Sequence, residues 1–353
     1  MFVGGEFYED TAWVKTTPAP PIKDALFLNG GRACLSVIAD YLYANEKNQI
    51  LLPAYLCPSI LDVLDQHSIN FTFYNINQDF SIDVEDLLEK AVSQRVIYFI
   101  NYFGFQHSLA ALSVLRRLQA DGMLLIEDNA QAGFPSNTIG DFCFNSMRKF
   151  VAVDGGYLTT RINLPQFHYQ QNNPINHRLP LIREYRRQLR SYLFEGCGSY
   201  VDLEHLFNQA ERCYDQDGVI LGDVDERKKI EQLDWQAIKS VRRNNYEYLL
   251  NRIGDLPGIT PIFPALQDDM MPLGLPVYVS WFSRDRLIEL LAEESISLTV
   301  HWDALVCDPR TQNNPEIVSM AENILTLPVD QYTSMSQLNY LVDNLFKTIK
   351  NIT

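Results

Sequence analysis

The stretch GMLLIEDN (residues 122–129) is an almost unbroken apolar run that ends on two carboxylates. Short continuous runs of this kind mark strands buried on both faces of a parallel sheet. Five more stand around it: QILLPAYL (49–56), INFTFYNI (69–76), RVIYFINYFG (95–104), DFCFNSM (141–147) and GYLTT (156–160). Between them, residues 32–44, 58–67 and 108–121 carry apolar side chains at three- and four-residue spacings, which predicts amphipathic helices. The alternation over 26–160 is that of βαβ units, so the expected fold is α/β, with a mostly parallel central sheet sandwiched by helices.

Beyond residue 160 the strand signal fades into a polar stretch and then a helical one around 226–253. The turn-rich cluster GDLPGITPIFP (254–264) reads as a boundary. After it the pattern predicts a strand (277–282), a helix (284–295), a strand (297–302) and a last helix from about Ser334 to Lys350. The organisation expected is a large domain over 1–250, with its core at 26–160 and a connector at 161–250, followed by a small C-terminal α/β domain over 251–353.

Composition narrows the function classes. With 46% hydrophobic and 21% charged residues, the 353-residue chain can bury a sizeable core. Its net charge of −15 argues against nucleic acid, whose recognition runs on clustered cations. Six scattered cysteines without a CxxC pair, and an N-terminus lacking a basic and an apolar segment, predict a cytoplasmic protein. No run reaches the ~18 apolar residues of a membrane span. The six histidines show no HxxxH or HExxH spacing, so no metal site is expected.

Three places could carry chemistry. Asp128 ends the most apolar run, and open α/β sheets bind ligands at the carboxyl ends of their strands. Such a carboxylate either pairs with a cation or sits in an ordinary solvated loop. Lys149 lies in the mostly apolar FNSMRKFVAVDGG before the Gly155–Gly156 turn. Desolvation there would make it a nucleophile able to form a Schiff base, whereas in a turn beside Arg148 it would be a surface lysine. Gly30–Gly31 precedes a helical pattern, the setting of an anion site at a helix N-terminus or of a plain turn.

A phosphate-binding helix start, a strand-end Asp and a lysine before Gly-Gly, in that order, resemble the large domain of the DegT/StrS-type aminotransferases, fold-type-I enzymes that use pyridoxal 5′-phosphate. The family's Gly-Thr-x-Ala-Leu phosphate segment is matched by Gly31-Arg32-Ala33-Cys34-Leu35, and its Pro-x-(aromatic)-Thr-(aromatic) strand end by Pro53-Ala54-Tyr55-Leu56-Cys57. Glu127-Asp128-Asn129-Ala130-Gln131-Ala132 matches its Glu-Asp-x-Ala-Gln-Ala and is the most specific correspondence. Gly140-Asp141, Ser146, Lys149 and Gly155-Gly156 match its lysine segment, and ILTLPV (324–329) its C-terminal Leu-Pro strand.

The resemblance implies a transaminase. Lys149 would form the aldimine with the cofactor and later shuttle a proton, and Asp128 would keep the pyridine nitrogen protonated. Gln131 would lie near the cofactor's 3′ oxygen. Gly31, Arg32, Ala33 and Ser146 would hold its phosphate. An aromatic usually stacks on the ring; literal register puts Cys57 there, while alternation along the strand favours Tyr55. The reaction implied is ping-pong, with an amino-acid donor, most often glutamate, and a keto-sugar acceptor, nucleotide-linked in most of the family and destined for polysaccharide or secondary metabolism. A homodimer is implied as well. The alternatives are another pyridoxal-phosphate reaction on a non-sugar substrate and a binding or assembly protein that has lost catalysis.

The chain departs from the family in three ways. Arg32 stands where Thr or Ser is usual, the Asp-to-Lys interval is short, and the Gly-Tyr-Asn-Tyr-Arg stretch that reaches into the neighbouring subunit is absent from 215–235, where LGDVDERKK stands. Arg183, Arg186, Arg187 and Arg190 fall on one predicted helix, as a solvated face balanced by nearby acids or as a patch for an anionic substrate. His301 is a candidate substrate contact or a buried structural histidine.

Overall fold

The apolar runs fold into one sheet. The structure, a computed structural model, describes residues 1–353 apart from 11, 16–20, 165–174, 217–218, 255, 312–313 and 353, so part of the connector expected at 161–250 lies outside the described residues. Strand β1 (Val3–Gly4) is followed by β2 (Leu26–Leu28), α1 (Gly31–Ala44), β3 (Gln49–Pro53), α2 (Pro58–Gln66), β4 (Asn70–Tyr74) and α3 (Val84–Ala91). Next come β5 (Val96–Ile100), α4 (Leu109–Ala120), β6 (Leu124–Asp128), β7 (Phe142–Phe144) and β8 (Gly156–Thr160). Among the described residues, four helices then run without a strand: α5 (Arg178–Glu195), α6 (Tyr200–Gln216), α7 (Val224–Gln232) and α8 (Trp235–Ile253). The chain finishes with β9 (Ile259–Pro261), β10 (Leu275–Val279), α9 (Arg284–Glu293), β11 (Ile296–Ser297), α10 (Ala304–Cys307), α11 (Pro315–Asn323), β12 (Ile324–Leu327) and α12 (Met335–Ile352).

Among the described residues, strands β2-β8-β7-β6-β5-β3-β4 form a seven-stranded sheet in that order. Strands β3 to β7 pair in parallel, and β8 alone runs against the rest. All five residues of β5, VIYFI, are buried, as a strand covered on both faces requires. The register aligns Ile100, Asp128 and Phe144, so the loops after β5, β6 and β7 leave the sheet along one edge. Further strands lie outside this sheet. Strands β12-β10-β9 form an antiparallel sheet, and β1 pairs with β11, which ties the N-terminus to residues near 296.

Three expectations shift here. The strand predicted over 297–302 shrinks to β11, and only an isolated bridge, Thr299 to Thr326, extends the pairing. The helix expected around 226–253 breaks at Leu233–Asp234, because Asp234 leaves the helical conformation to cap α8, accepting from the Ala237 amide at 3.0 Å. The boundary drawn between 250 and 251 falls inside α8.

The arginines of α5 divide between core and surface: Arg178 and Arg186 are buried, Arg183 is half-buried, and Arg187 and Arg190 are exposed. Arg178 Nε and Arg186 Nη2 donate to the two oxygens of Asp154 at 2.6 and 2.7 Å, and both guanidiniums are buried. Burial would raise the Asp154 pKa, but Arg186 and Arg178 outweigh it and hold the carboxyl at about 2. Arg183 donates to Glu226 and Asp223, Arg187 to Glu184, and Arg190 to the Glu9 carbonyl. Asp154 lies in the loop that carries Lys149, so this network ties α5 and α7 to that loop.

Gly156 has a steric reason. A Cβ there would stand 2.5 Å from the Asn145 carbonyl oxygen and 3.0 Å from the Gly30 carbonyl carbon, both backbone atoms that cannot swing away. Gly156→Ala is expected to destabilise the fold by about 1–3 kcal/mol, the usual cost of overpacking. A denaturant midpoint equal to wild type would contradict the close approach.

Candidate active site

The carboxyl edge of the sheet and the start of α1 enclose a cavity of about 110 Å3. Asp128, the last residue of β6, lines it from below. Tyr98 of β5 donates its hydroxyl to Asp128 Oδ2 at 2.5 Å, and the Ala130 amide donates to Oδ1 at 2.7 Å. Burial pushes the Asp128 pKa up to about 6, even though the Tyr98 and Ala130 bonds and the charge of Lys149 oppose the rise. The neighbouring Glu127 turns away and accepts from the Ile139 and Gly140 amides at 2.7 and 3.0 Å, pinning the loop before β7.

Lys149 closes a short 3-10 turn, Met147–Lys149, that begins at Ser146 and lines the same cavity. The Met147 amide bonds to the Gly155 carbonyl at 2.8 Å, which folds the loop back on itself. Burial and then the charge of Arg148 lower the Lys149 pKa, partly offset by Cys57, Glu6 and Glu211. A desolvated amine between opposing charges is a nucleophile and a base at lower pH than a solvated lysine.

Gln131 is held by the Phe103 amide, which donates to its Oε1 at 2.8 Å, while its buried Nε2 has no protein partner. A buried donor left unmatched is costly, so a ligand acceptor in the cavity is its natural partner. Across from it, α1 starts at Gly31 behind the N-cap Gly30, with no side-chain cap, and its first turn abuts Ser146. An uncapped helix start aims its leading amides outward, with the positive end of the helix dipole behind them. Arg32 and Ser146 line the cavity at this end.

Of the residues singled out in the sequence, Gly31, Arg32, Cys57, Asp128, Gln131, Ser146 and Lys149 therefore line one cavity. Ala33 lines an adjoining chamber of about 530 Å3 that shares Arg32, Cys57, Ser59 and Trp302 with it. Tyr55 does not line this cavity. It is fully buried beneath the site, its hydroxyl bonds to the His301 carbonyl, and its ring packs against Phe80 and Trp302. Strand β3 ends at Pro53, so the alternation that favoured Tyr55 does not extend to it. Cys57, the N-cap of α2, occupies the cavity wall instead. Tyr55→Phe is expected to cost about 1–2 kcal/mol of stability, the loss of one buried hydrogen bond. A ligand filling the cavity should bind the variant as it binds wild type, and a large loss of affinity would return Tyr55 to the site.

His301 is buried, its Nδ1 lies 3.0 Å from Thr326 Oγ1, and it faces a separate small chamber that also reaches Lys149. Burial, then Lys149, lower its pKa to about 3, so the imidazole is neutral at ordinary pH. None of Arg183, Arg186, Arg187 and Arg190 lines the cavity, which rules out their reading as an anion patch there. Sequence reasoning missed Tyr98, Trp302 and Glu6; only Tyr98 left a signal, as the residue of β5 two places before Ile100, the register partner of Asp128. Among the described residues no group of three or more His, Cys, Asp or Glu could hold a metal ion, and no helix is long and apolar enough to cross a membrane.

No family model and no curated protein matches the chain. Solved structures do match. A putative sugar aminotransferase, Spr1654 from Streptococcus pneumoniae, in its PLP form, superposes with a TM-score of 0.71 at 17% identity, covering 100% of both chains. PseC from Helicobacter pylori, an aminotransferase of pseudoaminic acid biosynthesis, gives 0.69 at 15% identity over 99% of each chain. The sugar aminotransferase CalS13 from Micromonospora echinospora gives 0.64 at 17% identity, over 92% of this chain and 87% of that one. The chain thus has the fold of these aminotransferases, the fold-type-I α/β architecture around a mostly parallel sheet.

Proposed function

We propose that the protein is a pyridoxal-phosphate-dependent aminotransferase of the DegT/StrS kind, which moves an amino group from an amino acid, glutamate in the first instance, to a keto-sugar in two alternating half-reactions. The observation that carries this reading is the single cavity that joins a desolvated lysine, a strand-end carboxylate and the unmatched Nε2 donor of Gln131. The residues fit the cofactor. Gln131 Nε2 would donate to its 3′ oxygen, and the α1 start with Arg32 and Ser146 would hold its phosphate. Asp128 would face the ring nitrogen and Lys149 the aldehyde carbon.

When bound, the cofactor supplies an electron sink for charge developing at the substrate carbon. The protein's own part is acid–base and electrostatic. Asp128 holds a proton on the ring nitrogen, and the cation there resolves the cost of burying its carboxylate. Lys149 Nζ would take the proton from the α-carbon of the donor and pass it to the cofactor's aldehyde carbon, and in the second half-reaction would carry a proton from that carbon to the former carbonyl carbon of the acceptor. Tyr98 and the Ala130 amide keep the Asp128 carboxyl in one orientation. The adjoining 530 Å3 chamber, with Trp302, Ser36, Ser59 and Gln66 on its walls, offers an aromatic platform and neutral polar groups suited to a polyhydroxylated acceptor.

The cysteines are free, which suits a reducing cytoplasm, and we expect a homodimer. The purified protein mixed with pyridoxal phosphate should gain a visible absorption band that L-glutamate bleaches and a keto-sugar restores. A band that no amino acid bleaches would defeat the reading, and acceptors compared with and without a nucleotide would name the substrate.

A further inference from the structure

A chamber of about 120 Å3 reaches Lys149 from a different set of walls and shares only Arg148 and Lys149 with the cavity of Asp128. Its remaining lining comes from the N-terminal segment around Glu6, Leu273, the extended stretch through Ser297, Thr299 and His301, and the end of β12 with the loop after it. The N-terminal segment is fastened there: β1 pairs with β11, Gln337 Nε2 donates to the Phe2 carbonyl at 2.7 Å, and Phe7 stacks on Tyr332. Glu6 is thereby presented at the rim as an exposed carboxylate.

Arg148 is fixed as firmly. Its Nη1 donates to Glu211 Oε1 at 2.9 Å, and Arg178 Nη1 donates to the same oxygen at 2.6 Å. The charged groups facing Lys149 here are therefore Arg148 on the wall, Glu6 at the rim and Asp330 beyond it, with His301 neutral. Asp330 is occupied with its own turn, accepting from the Tyr332 amide and the Thr333 hydroxyl. The chamber is small and dipolar, with a cation beside the nucleophilic amine and an anion at its mouth. The 530 Å3 chamber is the reverse, wide and with Asp62 and Asp303 against the single cation Arg32.

We propose that the small chamber takes the zwitterionic head of the amino-acid donor, with Arg148 binding its carboxylate and Glu6 drawing in its ammonium group. This rests on the aminotransferase reading above. Both substrates must bring their reacting carbon to Lys149, but the rest of each can lie in a different chamber, the donor in the dipolar one and the acceptor in the wide one. Glu211 is then a positioning residue that holds the Arg148 fork, and Ser297 and Thr299 are hydroxyls within the same walls.

The test compares how fast L-glutamate, L-alanine and ethylamine bleach the visible band of the cofactor-loaded full chain. Ethylamine lacks the carboxylate, so the ratio of an amino acid to ethylamine cancels differences in loading or folding. Wild type should favour the amino acids strongly. Arg148→Gln should lower that ratio about 100-fold, as loss of a charge-assisted bidentate contact does, and Arg148→Lys should restore part of it. Glu211→Gln should lower it about 10-fold by freeing the fork, and Glu6→Gln should slow bleaching by amino acids more at low salt than at high. A wild-type ratio near one, or an unchanged ratio in Arg148→Gln or Arg148→Lys, overturns the proposal while leaving the aminotransferase reading intact. If no amine bleaches wild type, the reading itself falls and the donor site with it.

Discussion

Lys149→Ala yields a folded protein with no measurable transamination: turnover falls at least about 10^4-fold, the upper range for removing a positioned acid–base group that is also the covalent anchor. Lys149 is the amine that lines the Asp128 cavity, and burial followed by Arg148 depresses its pKa, so no neighbouring side chain can take over. Its backbone contributes the turn, through the Lys149 amide to the Ser146 carbonyl at 3.3 Å, and alanine keeps that bond. Circular dichroism should match wild type while the visible band is lost. Retention of steady turnover by Lys149→Ala would show that the chemistry lies elsewhere.

Asp128→Asn should separate function from stability. Turnover should drop about 10^2- to 10^3-fold, the scale for losing one preorganised electrostatic partner. The cofactor-free protein should become more stable at neutral pH. Burial raises the Asp128 pKa from 3.8 to about 6, so the folded state binds its proton more tightly than the unfolded state. Folding stability contributed by this group is therefore full at acid pH below the unfolded value, and declines as pH rises through the window from about 4 to 6. Asparagine removes that decline, a gain on the order of 1–3 kcal/mol at pH 7 without cofactor. Pyridoxal phosphate should reverse the order by stabilising wild type more than the variant, since only the carboxylate meets a ring cation. Denaturant midpoints at pH 4 and pH 7, with and without cofactor, check all four corners. A variant less stable than wild type at pH 7 without cofactor would mean that the lost Tyr98 and Ala130 contacts outweigh the buried charge.

The sheet was legible because its central strands are buried on both faces. β5 carries no charged residue and β6 none before Glu127 and Asp128, so the run ends where the site begins. The lysine loop was legible because Gly155 and Gly156 are demanded by packing, Gly155 against the Phe27 ring and Gly156 against the backbone at Asn145 and Gly30. Helix α6 was not, while α5, expected as a helix, buries Arg178 and Arg186 through ion pairs beside its apolar stripe of Leu179, Ile182, Tyr185 and Leu189. Tyr55 lies off the cavity wall because alternation holds only inside a strand, and β3 stops two residues short of it. Glu6 left no local trace at all. Its place beside Lys149 is set by the pairing of Val3 with Ile296, a contact across most of the chain.

These observations meet in one claim, that Lys149 is the residue to which pyridoxal phosphate attaches. Reduction of the cofactor-loaded protein with borohydride, followed by digestion and mass spectrometry, tests it directly. A single phosphopyridoxyl group is expected on the peptide containing Arg148 and Lys149, carried by Lys149 and absent from Lys149→Ala. Label on another lysine, or none at saturating cofactor, would contradict it.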